Sequence, residues 1–178
     1  MADAARMVEK ECSLKGSAVC AVRVNEDAAT LAVLSHLTGK LGMDGVYISY
    51  EKPSQRHSAS SEWKKISDKL FIIDADCRRG MKNTVAAACL QSQTSLTELS
   101  VDITRLTHES KYKFVVLDSV TGMATFNGQD TTERFVRYMA NKMKGLEMGC
   151  ILIFPMDEKS DLLAKSLSSA VDRQVSLA

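Results

Sequence analysis

The chain has 178 residues with 23 basic and 22 acidic side chains, and its formal net charge of +1 gives no electrostatic footprint for non-specific nucleic-acid binding. The length favours one domain with a sizeable core, so we expect residues 1–178 to form a single unit with a core from about residue 16 to 177. The sequence has no run of 18 apolar residues and lacks the apolar centre of a signal peptide, which predicts a cytoplasmic protein without a transmembrane helix.

Apolar runs that end at turn residues alternate along the chain with segments of helical period. This alternation is typical of a mostly parallel sheet with helices on both faces. The pattern predicts strands at 18–24, 46–50, 70–74, 114–117 and 150–154, with a short final strand near Val175. It predicts helices at 27–41, around Trp63, and at 96–106, 131–147 and 160–170. Residues 78–80 are predicted to form a turn, with a helical or mobile region through residue 90, and residues 122–129 a long loop.

The five cysteines, at positions 12, 20, 77, 89 and 150, form no C-x-x-C pair, and the three histidines are isolated in the sequence. Closely spaced cysteines and histidines are the usual signature of a zinc site, so the sequence predicts none. Cys20 and Cys150 lie inside apolar runs and are predicted to be small buried hydrophobic residues.

Two segments resemble strands of the RecA/KaiC ATPases. Residues 113–122 read Lys-Phe-Val-Val-Leu-Asp-Ser-Val-Thr-Gly, which is similar to the Walker B strand of that family and ends in Asp118-Ser119. Residues 45–51 read Gly-Val-Tyr-Ile-Ser-Tyr-Glu and resemble the strand that ends in the family's catalytic glutamate. The order and spacing of these pieces carry the resemblance over nearly the whole chain. It implies an α/β fold, a three-layer αβα sandwich with a mostly parallel central sheet and a RecA-like core.

The phosphate-binding loop of that family, G-x-x-x-x-G-K-[ST], falls in register on residues 23–30, which read Arg-Val-Asn-Glu-Asp-Ala-Ala-Thr. Both glycines are absent, Ala29 stands in the lysine position, and Thr30 remains. The glycines let the backbone approach phosphate, and the lysine neutralises its charge. Glu26 and Asp27 instead place carboxylates where phosphate would lie. Two interpretations stay open: a self-capped helix start without nucleotide, or a divergent loop that still binds one.

The resemblance also implies roles for four residues. The family's counterpart of Glu51 orients the attacking water, so Glu51 is the candidate catalytic residue if ATPase activity is retained. The counterpart of Thr30 ligates Mg²⁺, and that of Asp118 assists it, which makes these two the candidate metal ligands. Ser119 completes the degenerate nucleotide and Mg²⁺ site with them. Because the loop has lost its cation, no cofactor is expected, with ATP and Mg²⁺ as the alternative.

The strand ends are acidic. Ligand sites in open α/β sheets lie at the carboxyl ends of the strands, and the predicted ends carry six acidic residues: Glu26, Asp27, Glu51, Asp74, Asp76 and Asp118. Three interpretations remain for this edge. It consists of solvated strand ends and helix caps, or it binds a divalent cation through clustered carboxylates. The third is a nucleotide site completed by a basic residue from elsewhere, such as Arg78, Arg79 or Lys82.

Three functions follow from the resemblance. The first is a non-catalytic pseudo-ATPase that works in regulation, signal transduction or scaffolding through a protein partner, a second copy of itself or an active RecA/KaiC-like ATPase. The second is a divergent Mg²⁺-dependent ATP-binding protein or ATPase with an unconventional phosphate loop. The third, an accessory role in DNA recombination, rests on kinship with RecA alone. The near-neutral charge gives that third function no support, so nucleic acid is not an expected partner.

Overall fold

The computed structural model of the chain describes residues 17–25, 27–50, 54–57, 60–75, 87–109 and 111–177. Within these residues, seven strands form one sheet, and in chain order they are β1 Val19–Val24, β2 Asp44–Ser49, β3 Leu70–Asp74, β4 Ala88–Cys89, β5 Tyr112–Asp118, β6 Gly149–Pro155 and β7 Arg173–Leu177. Their order across the sheet is β4-β3-β2-β5-β6-β1-β7. Every neighbouring pair is parallel, so the carboxyl ends of all strands meet at one edge.

The described residues include six α-helices: α1 Asp27–Ser35, α2 Ser61–Ile66, α3 Leu96–His108, α4 Val120–Asn127, α5 Gln129–Gly145 and α6 Glu158–Ser166. A π-helical turn, His36–Lys40, continues α1, and short 3₁₀ turns occupy Ser54–His57, Ser67–Lys69 and Ser168–Ala170. Helices α3 and α5 carry buried residues at helical spacing, as their sequence pattern predicts. None of the described helices has the length and apolar character that would let it cross a membrane.

Two hydrophobic clusters cover the two faces of the sheet. Helices α3 to α6 pack on one face, where Leu99, Met139 and Leu163 are buried against alternate residues of the strands. Helices α1 and α2 pack on the other face, where Leu34 and Trp63 are buried against the intervening strand residues. Strands that are buried on both sides account for the nearly continuous apolar runs of the sequence. The predicted three-layer αβα architecture with a parallel sheet is therefore confirmed.

The predicted loop at residues 122–129 is wrong, because most of this segment is helix α4. The side chain of Ser119 accepts a hydrogen bond from the Gly122 N–H at 3.0 Å and caps the first turn. Gly128, with a positive φ of 76°, ends the helix. Val120 and Met123 bury the inner side of the helix against the sheet. Strand β4 was missed because two residues are too few to show a period.

The two cysteines in apolar runs are both buried, but they differ in chemistry. Cys150 on β6 is a free thiol, and burial raises its pKa to about 12, opposed weakly by the Lys144 charge. It therefore stays protonated and behaves as the predicted small hydrophobic residue. Cys20 on β1 is disulfide-bonded, as is Cys89 on β4, and the sequence analysis anticipated neither bond.

Candidate functional site

The parallel sheet brings three of the predicted acidic residues to its carboxyl edge. Asp74 and Asp118 are the last residues of β3 and β5, and Asp27 is the first residue of α1, directly beyond β1. Strand β2 lies between β3 and β5, so its end lies between Asp74 and Asp118, whereas β6 separates β5 from β1. The other predicted positions, Glu26, Glu51, Asp76, Arg78, Arg79 and Lys82, lie outside the described residues.

The β1–α1 connection is the segment to which the family resemblance assigns the phosphate loop. Strand β1 ends at Val24 and α1 begins at Asp27, so the connection between the two elements is two residues long. The first turn of the helix contains the Asp27 carboxylate as its acidic residue. Ala29, at the position that the resemblance assigns to the family's lysine, packs against the apolar cluster on this face of the sheet. Thr30 follows and is buried, with 1% of its surface exposed.

Asp118 is engaged by a tyrosine that the sequence analysis did not single out. The hydroxyl of Tyr47 on β2 donates a hydrogen bond to an Asp118 carboxylate oxygen at 2.6 Å, and both residues are buried. A backbone hydrogen bond also reaches Asp118, since the N–H of Tyr50, directly beyond β2, donates to the Asp118 carbonyl oxygen at 2.6 Å. The peptide bond between Asp118 and Ser119 is cis. The Asp118 carboxylate, to which the family resemblance assigns a role at Mg²⁺, therefore accepts a hydrogen bond from another residue of the chain.

Aromatic rings surround Tyr47. Its ring meets that of Trp63 on α2 edge to face, with centroids 5.7 Å apart. His57 stacks against Trp63 at 5.0 Å, and its Nε2 lies 3.5 Å from the Tyr47 hydroxyl. All three residues are buried. We call the group Tyr47, His57, Trp63 and Asp118 the aromatic plug, since its members are buried and in contact with one another on this face of the sheet.

Asp74 holds the turn that carries His57. One carboxylate oxygen accepts from the Ser54 N–H and the other from the Ser54 hydroxyl, both at 2.9 Å. Asp74 and Ser54 are fully buried, and a buried carboxylate is tolerated only with such donors. Asp74, one of the six acidic residues predicted at the strand ends, thus anchors the turn Ser54–His57.

A second polar contact fixes the end of β2. The Tyr50 hydroxyl donates to the Gln93 carbonyl oxygen, and the Asn127 amide donates to both of these oxygens, at 2.9 and 3.0 Å. Burial raises the pKa of Tyr50, and the Asn127 hydrogen bond opposes that rise. The phenol is therefore neutral at physiological pH and remains a donor. This contact joins β2, the segment before α3 and the end of α4 directly beside position 51.

The structure places three of the four predicted site residues around one edge. Ser49 and Asp118 are paired in register on neighbouring strands, so Tyr47, two positions earlier, shares their face. Thr30 is on α1, which covers that face, whereas Ser119 caps α4 on the opposite face. The period of two along β2 is the signal that could have identified Tyr47. Within the described part of the chain, no group of three or more His, Cys, Asp or Glu side chains is arranged to hold a metal ion.

This arrangement defines a RecA-like α/β domain. Residues 30–177 match the KaiC family of ATPases, and the chain belongs to that family. Among solved structures, it is similar to a KaiC-like protein from the hyperthermophilic archaeon Pyrococcus horikoshii OT3. That likeness has a TM-score of 0.64 at 13% identity and covers 92% of this chain and 73% of the other. At this identity the likeness concerns the fold alone. No curated protein matches the sequence.

Replacing Tyr47 with phenylalanine is expected to lower the free energy of unfolding by about 1–2 kcal/mol, because a buried carboxylate loses a donor. Urea unfolding of the variant would measure this loss. The matched control is Tyr112→Phe, since Tyr112 is also buried on the sheet but no described residue bonds to its hydroxyl. Equal losses in the two variants would contradict a specific role for the Tyr47–Asp118 bond.

Proposed function

We propose that this chain is a non-catalytic member of the KaiC family, a pseudo-ATPase that acts as a regulatory or scaffolding subunit through protein partners. The observation that carries the proposal is the start of α1. Asp27 opens the helix three residues after Val24, and Ala29, where the family requires lysine, is packed against the apolar cluster. A nucleotide would meet a carboxylate at the helix start where the family supplies a cation.

The energetic effect of having the Asp27 carboxylate and no lysine at the start of α1 can be estimated from Coulomb's law. Two like unit charges 4 Å apart repel by about 4 kcal/mol at the effective dielectric constant of a protein surface. The N–H groups at a helix start normally attract an anion, and Asp27 already supplies one there. A triphosphate would have to displace or neutralise that carboxylate before it could use the helix start. In the family, the lysine neutralises the negative charge of the phosphates, and Ala29 cannot do so.

The Walker B end of the site supports the same proposal. Asp118 has 6% of its surface exposed and accepts the Tyr47 hydroxyl. A hydrated Mg²⁺ ion keeps several waters and needs room for them. The aromatic plug places rings and a phenol in that region. The family match also begins at Thr30, directly after the altered loop positions.

The alternative function is a divergent Mg²⁺-dependent ATP-binding protein or ATPase. Thr30 favours it, because its hydroxyl is kept at the first turns of α1 on the face that also carries Asp118. Under this alternative, Tyr47 would release Asp118 when the metal binds. The two functions differ in one measurable quantity, the stabilisation of the fold by nucleotide.

We expect the melting temperature of the purified chain to be unchanged in 1 mM ATP or ADP, with or without Mg²⁺. A ligand at 100 times its Kd stabilises a fold by about 2.7 kcal/mol, which for a domain of this size is a rise of about 5–10 °C. Scanning calorimetry at constant ionic strength would detect a much smaller rise in melting temperature than this. The matched variant is Asp118→Asn, which removes one charge from the site.

Two results would contradict the pseudo-ATPase. The first is a Mg²⁺-dependent rise in melting temperature that Asp118→Asn abolishes, which would establish the alternative. The second is ATP turnover by the purified chain that Glu51→Gln removes, because the family's counterpart of Glu51 orients the attacking water. Turnover that survives Glu51→Gln would instead indicate a contaminating ATPase.

A further inference from the structure

A cluster of hydroxyl groups and one ammonium group lies on the surface where α3 and α5 run side by side. Its members are Ser100 and Thr104 on α3 and Tyr138 and Lys142 on α5, and we call it the Tyr138 cluster. Helices α3 and α5 cover the face of the sheet opposite α1, so the cluster is separate from the candidate nucleotide edge. Tyr138 has 48% of its surface exposed, which leaves its side chain open to reagents in solution.

The Tyr138 hydroxyl oxygen accepts hydrogen bonds from two donors. The Ser100 hydroxyl and the Lys142 ammonium group each donate to it at 3.4 Å. The Lys142 nitrogen is 5.6 Å from the centre of the Tyr138 ring, so the positive charge is much closer to the oxygen than to the middle of the ring. Donors and a positive charge at a phenol oxygen favour its ionised form.

Helix α3 holds the Lys142 ammonium group at this oxygen. The ammonium group also donates to the Thr104 hydroxyl oxygen. The Thr104 hydroxyl in turn donates to the Ser100 carbonyl oxygen at 2.6 Å, which fixes the Thr104 side chain against its own helix. The Lys142 side chain therefore bridges α3 and α5, and two of its donors are directed at neighbouring hydroxyl oxygens.

The acidic groups near the cluster have partners of their own. The charged residues that flank it in sequence are Glu98, Asp102 and Arg105 on α3, and Arg134, Arg137 and Lys142 on α5. Glu98 accepts from the Gln91 N–H at 3.0 Å, and Asp102 pairs with Arg105 at 3.3 Å. Glu133, further back on α5, accepts from the Ser166 hydroxyl at 2.6 Å. The negative charges of both helices are thus engaged away from Tyr138.

The net effect at Tyr138 is a lowered pKa. The Ser100 and Lys142 hydrogen bonds lower the pKa of this phenol, the Lys142 charge and Thr104 lower it further, and burial opposes them. Among the described residues, no acidic side chain opposes the shift. The phenolate, which is the nucleophilic form of tyrosine, is therefore reached at a lower pH than in an isolated tyrosine.

Tyr138 differs in this respect from the other tyrosines, all of which belong to the described part of the chain. Tyr47 and Tyr50 are buried and donate their hydroxyl protons to other residues. Burial raises the pKa of Tyr50 and of Tyr112. Tyr138 is exposed, and the two hydrogen bonds at its oxygen are both received. It is thus the tyrosine best placed to react as a nucleophile.

We propose that Tyr138 is a covalent modification site, a nucleophilic phenol that takes an acyl group from an activated carboxylic acid derivative. The phenolate oxygen forms a bond to the acyl carbon, the bond from that carbon to its leaving group breaks, and the leaving group departs with the electron pair. The phenol proton passes to solvent. Ser100 and Lys142 are positioning residues, because their donors stabilise the phenolate and lie beside the oxyanion that forms at the acyl carbon.

The inference goes beyond the proposed function and does not depend on it. The Tyr138 cluster and the start of α1 are on opposite faces of the sheet. Acylation of Tyr138 and stabilisation by nucleotide are therefore separate measurements on the same protein. A chain that binds ATP and is acylated at Tyr138 would overturn the pseudo-ATPase and leave this inference standing.

The test is acetylation of the purified chain with N-acetylimidazole at about pH 8, with the modified residues identified by mass spectrometry of peptides. We expect Tyr138 to react at least about tenfold faster than Tyr50 or Tyr112, since a difference of one pKa unit alone changes the phenolate fraction about tenfold. Tyr138→Phe should abolish the fast reaction. An ultraviolet titration of wild type minus Tyr138→Phe should show a midpoint below the ordinary pKa of tyrosine.

Substitutions of Lys142 test its positioning role. Lys142→Met removes the charge and should slow acetylation of Tyr138 by about three- to tenfold near pH 8. The loss should shrink as the pH rises, because the phenol then ionises without help. Lys142→Arg keeps a cation and should recover most of the rate. The matched control is Lys111→Met, since the Lys111 nitrogen is also 5.6 Å from a tyrosine ring centre, that of Tyr112.

Four results would overturn the inference. The first is acetylation spread evenly over the tyrosines, and the second is acetylation of Lys142 in place of Tyr138. The third is a rate that Lys142→Met and Lys111→Met leave equally unchanged. The fourth is a slowing by Lys142→Met that is as large at high pH as near neutrality, which would mean that the variant alters access to the ring and not ionisation. Thermal melts would verify that each variant is folded.

Discussion

Truncation of Trp63 to alanine is expected to lower the free energy of unfolding by about 4 kcal/mol, the typical cost of removing a large buried aromatic side chain. Trp63 has 1% of its surface exposed, and its ring contacts those of Tyr47 and His57 in the aromatic plug. The neighbouring strands are buried on both faces and cannot collapse into the cavity. Equilibrium unfolding in urea, with an unchanged slope against denaturant, would measure the loss.

The control for this variant is Trp63→Phe, which keeps an aromatic ring in the cavity. The indole Nε1 is buried and has no hydrogen-bond partner among the described residues. Phenylalanine therefore removes an unsatisfied donor as well as some apolar surface, and the two effects oppose each other. We expect a loss below about 1.5 kcal/mol. If Trp63→Phe were as damaging as Trp63→Ala, the cavity explanation would be wrong.

The architecture followed from the sequence because strand and helix periods are local properties. Residues 70–74 were predicted as a strand with the bounds that Leu70–Asp74 has in the structure. When buried apolar strands alternate with helical segments and the connections are short, the rules for crossover connections allow few arrangements of the sheet. The short helix around Trp63 was predicted as well, and its Ser60 cap is visible in the sequence.

Helix α4 was not predicted because several of its residues are weak helix formers. Thr121, Gly122 and Thr125 have modest helix propensity, so the segment looked like a loop. Packing of Val120 and Met123 against the sheet outweighs that weak preference. The cap residues Ser119 and Gly128 were present as signals at the two ends, and they would have indicated a helix had they been given more weight than propensity.

The candidate site was predictable in its location but not in its contacts. The rule that parallel strand ends meet at one edge correctly placed Asp74 and Asp118. The partners of these carboxylates, Ser54 and Tyr47, are 20 and 71 positions away in the sequence. Contacts at such separations depend on side-chain geometry across the sheet, which no local pattern encodes. The role of Glu51 stays a prediction, since position 51 lies outside the described residues.

The buried carboxylates of Asp74 and Asp118 both have hydrogen-bond donors within the chain. In each case a hydroxyl from the same face donates to the carboxylate, as Ser54 and Tyr47 do. A buried carboxylate needs such donors, because an unpaired buried charge costs several kcal/mol. The same side chains that would serve a metal site thereby become structural connections between strands and turns.

Substitution of Gly45 by alanine is expected to destabilise the fold by about 2–3 kcal/mol, the cost of overpacking a tight core position. Gly45 is on β2 and pairs in register with Phe114 on β5. A Cβ atom added at Gly45 would lie 2.3 Å from two atoms of the Phe114 ring. Phe114 is fully buried in the cluster under α1 and α2, so its ring has no free space to move into.

The matched control is Gly145→Ala at the end of α5, where an added Cβ has no neighbour within 4 Å. Alanine is the better helix former there, so this variant should gain up to about 1 kcal/mol. In the double variant Gly45→Ala/Phe114→Leu, the smaller side chain vacates the ring position and should recover part of the loss. A neutral Gly45→Ala variant would mean that β2 and β5 can separate slightly. The Tyr47 hydroxyl and the Asp118 carboxylate would then not be held at a fixed distance. The aromatic plug would in that case not be rigid enough to keep Mg²⁺ away from Asp118.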